Sequence, residues 1–361
     1  MTWVDRVRSS LRGESAYHVA APATIRIKLD ANESPFALSA AARASVAAAL
    51  AGVELNRYPD ARASALKALM QSKLGLHPTE VSLGNGSDES LGLLCSAFGE
   101  PRDGRPGRVL YPWPSFVVYR TAALAAGLSP VEVPLGSRFE ADAQALLDAV
   151  ERERPNLIFL ATPNNPTGTV WPREVIVALC EKYPDVITVV DEAYLPYSDQ
   201  PSCIELTRKY PHCVVVQTLS KVGLAALRIG FVIAQPEVIA TIEKVRPPYN
   251  LDSLSQAAVT VILRDHADEL EAHLAVVRSE RERLATGLAG LGLEVFPSQA
   301  NLLLVRSPKA TALWSHLGAQ GISVRNFDGP LAGPLAGCLR ITVGTATEND
   351  ALLAALSSAP T

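Results

Sequence analysis

Short runs of consecutive apolar residues alternate along this chain with longer segments of helix-forming composition. The runs are Val81-Ser-Leu, Arg108-Val-Leu-Tyr, Val131-Glu-Val, Asn156-Leu-Ile-Phe-Leu-Ala, Val186-Ile-Thr-Val-Val, Cys213-Val-Val-Val-Gln and Gly230-Phe-Val-Ile-Ala. Several are apolar at every position instead of at every second one. Such a strand buries both faces, the habit of parallel sheets covered by helices on either side. The pattern predicts an α/β fold on a mostly parallel sheet of about seven strands.

Ahead of these runs, residues 1–38 read as a polar arm in which Ile25-Arg-Ile-Lys-Leu-Asp30-Ala-Asn32 predicts a short strand entering a turn. An alanine-rich helix is expected from Ser39 to Ala51 and a second from about Ala61 to Leu74. Between them, Pro59 holds Tyr58 extended. After Arg246-Pro-Pro-Tyr249-Asn250 the alternation stops, and a long helical region from about Leu254 to Leu291 leads to short strands beginning at Leu293, Asn301, Ile322 and Cys338. The expected organisation is an arm over 1–38, a large domain over 39–252 and a small α+β C-terminal domain over 253–361.

Charge narrows the partners. With 33 basic and 37 acidic residues the chain has no extended positive field, so neither nucleic acid nor an anionic membrane is an expected partner. The five cysteines (Cys95, Cys180, Cys203, Cys213, Cys338) are odd in number and lack a C-x-x-C pair, which predicts reduced thiols and a cytoplasmic setting. No run approaches the length of a membrane span, and the first residues carry charges where a secretory segment needs an apolar core. The six histidines show neither metal-ligand spacing nor a nucleophile to pair with, so no metal is expected.

The polar residues that carry chemistry gather where the runs end. In open α/β sheets ligands bind at the carboxyl ends of the strands. Lys221 follows the run Val214-Val-Val-Gln-Thr218-Leu-Ser220, and Arg228 comes shortly after. Gly84-Asn85-Gly86-Ser87-Asp88 is a glycine-bracketed turn opening a helix, with Ser87 or Asp88 as the expected N-cap. Such a turn offers free N–H groups to a phosphate, and its spacing fits neither the Walker loop nor the dinucleotide fingerprint. Phe116, Asn165, Asp191 and Tyr194 follow other runs. An amine, a carboxylate, a phenol, an amide, a flat aromatic and a phosphate cradle are the parts that pyridoxal 5′-phosphate requires. Asp191 is the candidate for its ring nitrogen, Tyr194 and Asn165 for its ring oxygen, and Phe116 for one ring face. Each also has an ordinary alternative: a strand-end lysine often lies along the surface, Asp191 can cap a helix, Asn165 can serve a turn, and Phe116 can be core.

Taken in order, Leu29-Asp-Ala-Asn-Glu-Ser-Pro, Asn56-Arg-Tyr-Pro, Gly84-Asn-Gly-Ser-Asp-Glu, Pro163-Asn-Asn-Pro-Thr-Gly, Val190-Asp-Glu-Ala-Tyr, Thr218-Leu-Ser-Lys, Leu227-Arg-Ile-Gly and Leu339-Arg-Ile-Thr-Val-Gly-Thr resemble the fold-type I aminotransferases. Within them the chain resembles the histidinol-phosphate aminotransferases of histidine biosynthesis. The resemblance spans nearly the whole chain and implies an aspartate aminotransferase-like fold. It implies that Lys221 holds pyridoxal phosphate and shuttles a proton, and that Gly86, Ser87, Asp88, Thr218, Ser220 and Arg228 grip the cofactor phosphate. Tyr58 is expected to reach that phosphate from a neighbouring subunit, making the active unit a homodimer. Arg340, Arg325, Tyr17 and Asn32 are the expected substrate contacts, for histidinol phosphate and 2-oxoglutarate as small-molecule substrates. An aromatic-amino-acid aminotransferase and a threonine-phosphate decarboxylase-like lyase remain open on the same scaffold.

Overall fold

The computed structural model describes the chain except for residues 1–2, 13, 15–23, 103, 330–331 and 360–361. Its strands are β1 (Ile27–Leu29), β2 (Val81–Asn85), β3 (Arg108–Trp113), β4 (Ser129–Pro134), β5 (Leu157–Ala161), β6 (Ile187–Asp191), β7 (Cys213–Thr218), β8 (Ile229–Ile233), β9 (Glu294–Val295), β10 (Leu302–Arg306), β11 (Ile322–Asn326) and β12 (Cys338–Thr342). A seven-stranded sheet runs β2-β8-β7-β6-β5-β3-β4. Its inner pairs are parallel, and β8 alone is antiparallel to both its neighbours.

The continuous apolar runs are explained by the two cores that flank this sheet. Ile158, Leu160, Val190 and Val215 enter one, while Leu157, Phe159, Val189, Val214 and Val216 enter the other. Successive side chains point to opposite faces, so a strand covered on both sides has no solvent face to supply polar positions. Each such buried side chain contributes about 1.5–3 kcal/mol relative to exposure. The parallel strands β3, β5, β6 and β7 consequently bring their carboxyl ends to one edge, where the polar segments begin.

A second sheet runs β1-β11-β12-β10-β9. The strand predicted in the arm is β1, and it pairs in parallel with β11, Leu29 opposite Val324, to close the small core around Leu303, Ile341 and Leu352. Two local expectations differ from what is observed. The long helical region is two helices, Ser253–Asp265 and Ala267–Gly290, parted at His266, whose Nε2 lies 3.0 Å from Ser45 Oγ. The second helix starts at Ser64 instead of near Ala61, because the Asp60 carboxylate takes the N–H groups of Arg62 and Ser64 at 2.9 and 2.7 Å and holds a turn there. Among the described residues no helix is long and apolar enough to cross a membrane.

Candidate functional site

β2 runs directly into the helix Gly86–Phe98, and the junction is built for close approach. Gly86 sits at φ +77°, its N–H bonds the carbonyl of Arg228 at 2.7 Å, and a Cβ placed on it would lie 2.5 Å from Arg228 Nη2. A Cβ on Gly230 would lie 2.5 Å from the backbone of Gly86 and Ser87. Both positions need glycine for lack of space. The N-cap is Asn85, not Ser87 or Asp88. Ser87 and Asp88 instead occupy the first turn, because the chain turns one residue earlier at Gly86. The Asn85 N–H is taken by the Glu89 carboxylate at 2.6 Å.

Around this turn collect the groups of a phosphate cradle. Arg228 donates from Nη1 to Ser220 Oγ at 3.4 Å and pairs through Nη2 with Asp88 at 3.3 Å. Thr218 Oγ1 donates to Ser220 Oγ at 3.0 Å and accepts the Ser220 N–H at 3.1 Å. Hydroxyls, a guanidinium and the N–H groups of a helix start form the donor set that an anion takes, and Gly86 leaves room for the Arg228 guanidinium beside them.

Lys221 lies in the turn Ser220–Leu224, which is bent by Gly223 at φ +107°. The Tyr197 hydroxyl donates to the Lys221 carbonyl and anchors the turn, and Lys221 Nζ lies 5.6 Å from the centre of the Tyr194 ring. Facing it is Asp191, the last residue of β6 and buried. Its Oδ2 accepts from the Tyr119 hydroxyl at 2.7 Å and its Oδ1 from the Ala193 N–H at 3.0 Å. Burial pushes this carboxyl above its ordinary range; the two donors and Lys221 oppose that rise, and Asp88 adds to it. Phe116 meets Tyr119 edge-on, ring centres 5.8 Å apart.

The small sheet closes the site from the other side. Arg340 on β12 donates from Nη1 to Asn165 Oδ1 at 2.7 Å and from Nη2 to the Asp30 carbonyl. Arg325 on β11 stands directly opposite Arg340 in the antiparallel register, so both side chains leave the same face, and each guanidinium lies 5.9 Å from the Phe327 ring centre. Asn32, an expected substrate contact, is only 1% exposed. With φ at +55° it donates from Nδ2 to the Tyr194 hydroxyl at 2.8 Å, and its N–H and Oδ1 both engage Thr342 Oγ1. The turn after β1 pins it against β12.

The structure thus brings Gly86, Ser87, Asp88, Thr218, Ser220 and Arg228 into one cluster, links Phe116 to Asp191 through Tyr119, Lys221 to Asn32 through Tyr194, and Asn165 to Arg340 with Arg325 opposite. Tyr58 stands apart: it is 81% exposed and stacks on Tyr249, ring centres 4.6 Å apart. Tyr17 lies outside the described residues. Sequence reasoning missed Tyr119, Thr342 and Asn301, the last donating to the Asn32 carbonyl at 3.1 Å. Tyr119 had a signal in its spacing, since it follows Phe116 by one helical turn and its N–H bonds the Phe116 carbonyl at 3.1 Å. Asn301 and Thr342 had none, because only strand pairing brings them to Asn32.

Comparison with known proteins agrees with this geometry. The family described as "Aminotransferase class I and II" matches residues 24–356. A histidinol-phosphate aminotransferase of Chromobacterium violaceum is 43% identical over 361 residues, covering 99% of this chain and 98% of that protein. One of Methylibium petroleiphilum is 41% identical, covering 97% and 93%. The crystal structure of histidinol-phosphate aminotransferase from Sinorhizobium meliloti in complex with pyridoxal-5′-phosphate superposes with a TM-score of 0.83 at 28% identity, covering 93% of this chain and 91% of that one. A Thermus thermophilus aspartate aminotransferase mutant, at 24% identity and a TM-score of 0.77, shares the fold and covers 93% of this chain and 92% of its own.

Proposed function

Because the chain belongs to the class I and II aminotransferases, we propose that it transfers the amino group of L-histidinol phosphate to 2-oxoglutarate in two half-reactions. The products are imidazole-acetol phosphate and L-glutamate, and pyridoxal 5′-phosphate is the cofactor. The cradle around Gly86 and the buried carboxylate of Asp191 fit that cofactor's phosphate and its ring N–H. When bound, the cofactor supplies an aldehyde for amine exchange and a protonated ring that takes up the electron pair released at the substrate Cα.

The chain's own residues divide the work. Lys221 Nζ holds the cofactor and moves the proton at the substrate Cα. Asp191 keeps a negative charge at the ring nitrogen. The Tyr194 hydroxyl already accepts from Asn32, which leaves its own proton to donate to the ring oxygen. Asn165 Oδ1 is engaged by Arg340, which turns its Nδ2 into the available donor. Asn32 acts through Tyr194 and not by touching substrate. Phe116 covers a ring face. Ser87, Asp88, Thr218, Ser220 and Arg228 grip the phosphate, and Gly86, whose own N–H is taken by the Arg228 carbonyl, shapes the turn that presents them. Tyr58, exposed beside the equally outward Leu55, reaches the second subunit of a homodimer.

The observation that carries the substrate is the cross-strand pair of Arg325 and Arg340. Two guanidinium groups leaving the same face of β11 and β12 offer paired forks to an anion. The phosphate of histidinol phosphate and the carboxylates of glutamate are such anions, and guanidinium forks suit both. The test is a half-reaction: purified, cofactor-loaded protein is mixed with L-histidinol phosphate alone and its absorption followed. Conversion to the pyridoxamine form, abolished in Lys221→Ala, is expected. Conversion by phenylalanine or tyrosine but not by histidinol phosphate would move the assignment to an aromatic-amino-acid aminotransferase.

A further inference from the structure

The carboxylate of Asp191 has a partner that neither the motifs nor the family match assigns. Tyr119 is fully buried, and its hydroxyl lies 2.7 Å from Asp191 Oδ2. Its ring is held on three sides, by Phe159 at 5.1 Å, Tyr111 at 5.8 Å and the edge contact with Phe116 at 5.8 Å between ring centres. Its N–H bonds the Phe116 carbonyl, so one residue fixes both the expected ring-stacking side chain and the expected ring-nitrogen carboxylate.

We propose that Tyr119 is a positioning residue for transamination: its hydroxyl holds the Asp191 carboxylate ionised and aimed, so that Oδ2 keeps one lone pair for the cofactor's ring N–H. This rests on the functional reading above. A buried carboxylate has to be satisfied by donors, and Tyr119 and the Ala193 N–H supply one to each oxygen. Burial beside Asp191 pushes the Tyr119 phenol well above its ordinary range, so the phenol remains a donor throughout the working pH range. Tyr119 touches the carboxylate and the aromatic cluster, and acts on the chemistry through them.

The test is a double-mutant cycle of Tyr119→Phe and Asp191→Asn, read by equilibrium titration of each apo chain with pyridoxal 5′-phosphate and by the kcat and KM of each loaded enzyme. Tyr119→Phe keeps every ring contact, and the unfolding midpoints of the apo chains check that it folds. With Asp191 present, the expected result is about tenfold weaker cofactor binding and a lower kcat, with KM for the amino donor within about threefold of wild type. In the Asp191→Asn background the same change should alter cofactor binding by less than about threefold. Equal losses in both backgrounds, or no loss in either, overturn the proposal, since Tyr119 then acts by packing or not at all. Wild-type protein that fails to bind pyridoxal 5′-phosphate overturns the functional reading itself, an outcome distinct from a wild type that binds and a Tyr119→Phe chain that binds equally well.

Discussion

Arg340 and Asn165 join the two sheets through a single hydrogen bond, Nη1 to Oδ1 at 2.7 Å, between the middle of the small sheet's β12 and the loop beyond β5 of the large one. The guanidinium also holds the Asp30 carbonyl of the arm. One buried cation therefore fixes three segments far apart in the chain, and it does so directly across the strand pair from Arg325. A residue so placed orients Asn165.

From this follows the first prediction. Arg340→Ala should cost about 2–5 kcal/mol of transition-state stabilisation in both half-reactions, through lost contact with the glutamate carboxylate and with the histidinol-phosphate phosphate. The measurement is kcat/KM for each half-reaction separately. Arg340→Lys should recover only part, because a point charge cannot bond Asn165, Asp30 and a substrate oxygen together as a fork does. A loss confined to the glutamate half-reaction would leave Arg340 a carboxylate clamp alone.

The second prediction concerns the apo chain. Burial raises the Asp191 carboxyl above its unfolded value. The folded state therefore holds that proton to higher pH than the unfolded state. The stability this gives is fully present below the unfolded value of about 3.9 and is lost as pH rises through the folded value. At neutral pH apo protein carries the cost of a desolvated charge. Asp191→Asn removes it while Oδ1 still accepts from Ala193 and Nδ2 donates to the Tyr119 oxygen. Thermal unfolding of apo Asp191→Asn should show stability at least equal to wild type at pH 7–8, with the difference shrinking toward pH 4. Turnover of the loaded variant should fall by several orders of magnitude. A variant less stable than wild type across that whole range would mean that Lys221 and the two donors outweigh desolvation.

The parts of the site that the chain order displays, and those it conceals, divide along physical lines. The strands of the large sheet were legible because burial on both faces leaves a run such as Leu157–Ala161 with no polar interruption. Lys221, Asp191 and Asn165 were legible because each stands at, or a few residues past, the end of such a run. The cradle was legible as a glycine turn, yet its N-cap was misplaced, since which residue turns first depends on Gly230 pressing against Gly86 from another strand. Asn32 was assigned to the substrate, and only the pairing of β1 with β11 carries it inward to Tyr194. Tyr119 went unremarked, because nothing in the chain order says that its hydroxyl ends at Asp191. Contacts made by local periodicity are written in the sequence, and those made by sheet register are not.

The last prediction tests the second subunit. Tyr58 projects into solvent from the segment between the first two helices, stacked on Tyr249, whose own φ is +59°. An exposed aromatic pair, with Leu55 also outward, is surface that a second copy of the chain can cover. If Tyr58 serves the cofactor phosphate of the neighbouring subunit while Lys221 serves its own, the two residues complement between chains. Tyr58→Phe should be impaired by itself, and Lys221→Ala inactive. In a hybrid dimer of the two, the site containing the intact Lys221 borrows an intact Tyr58 from the Lys221→Ala chain, whereas the other site lacks both. Mixing the two variants under conditions of subunit exchange should therefore raise activity above the sum of the separate proteins, toward that of one wild-type site per hybrid dimer. Sedimentation of the mixture establishes that hybrids are dimers. Activity that stays at the sum, in a mixture shown to contain hybrids, places Tyr58 and Lys221 in the same chain's site.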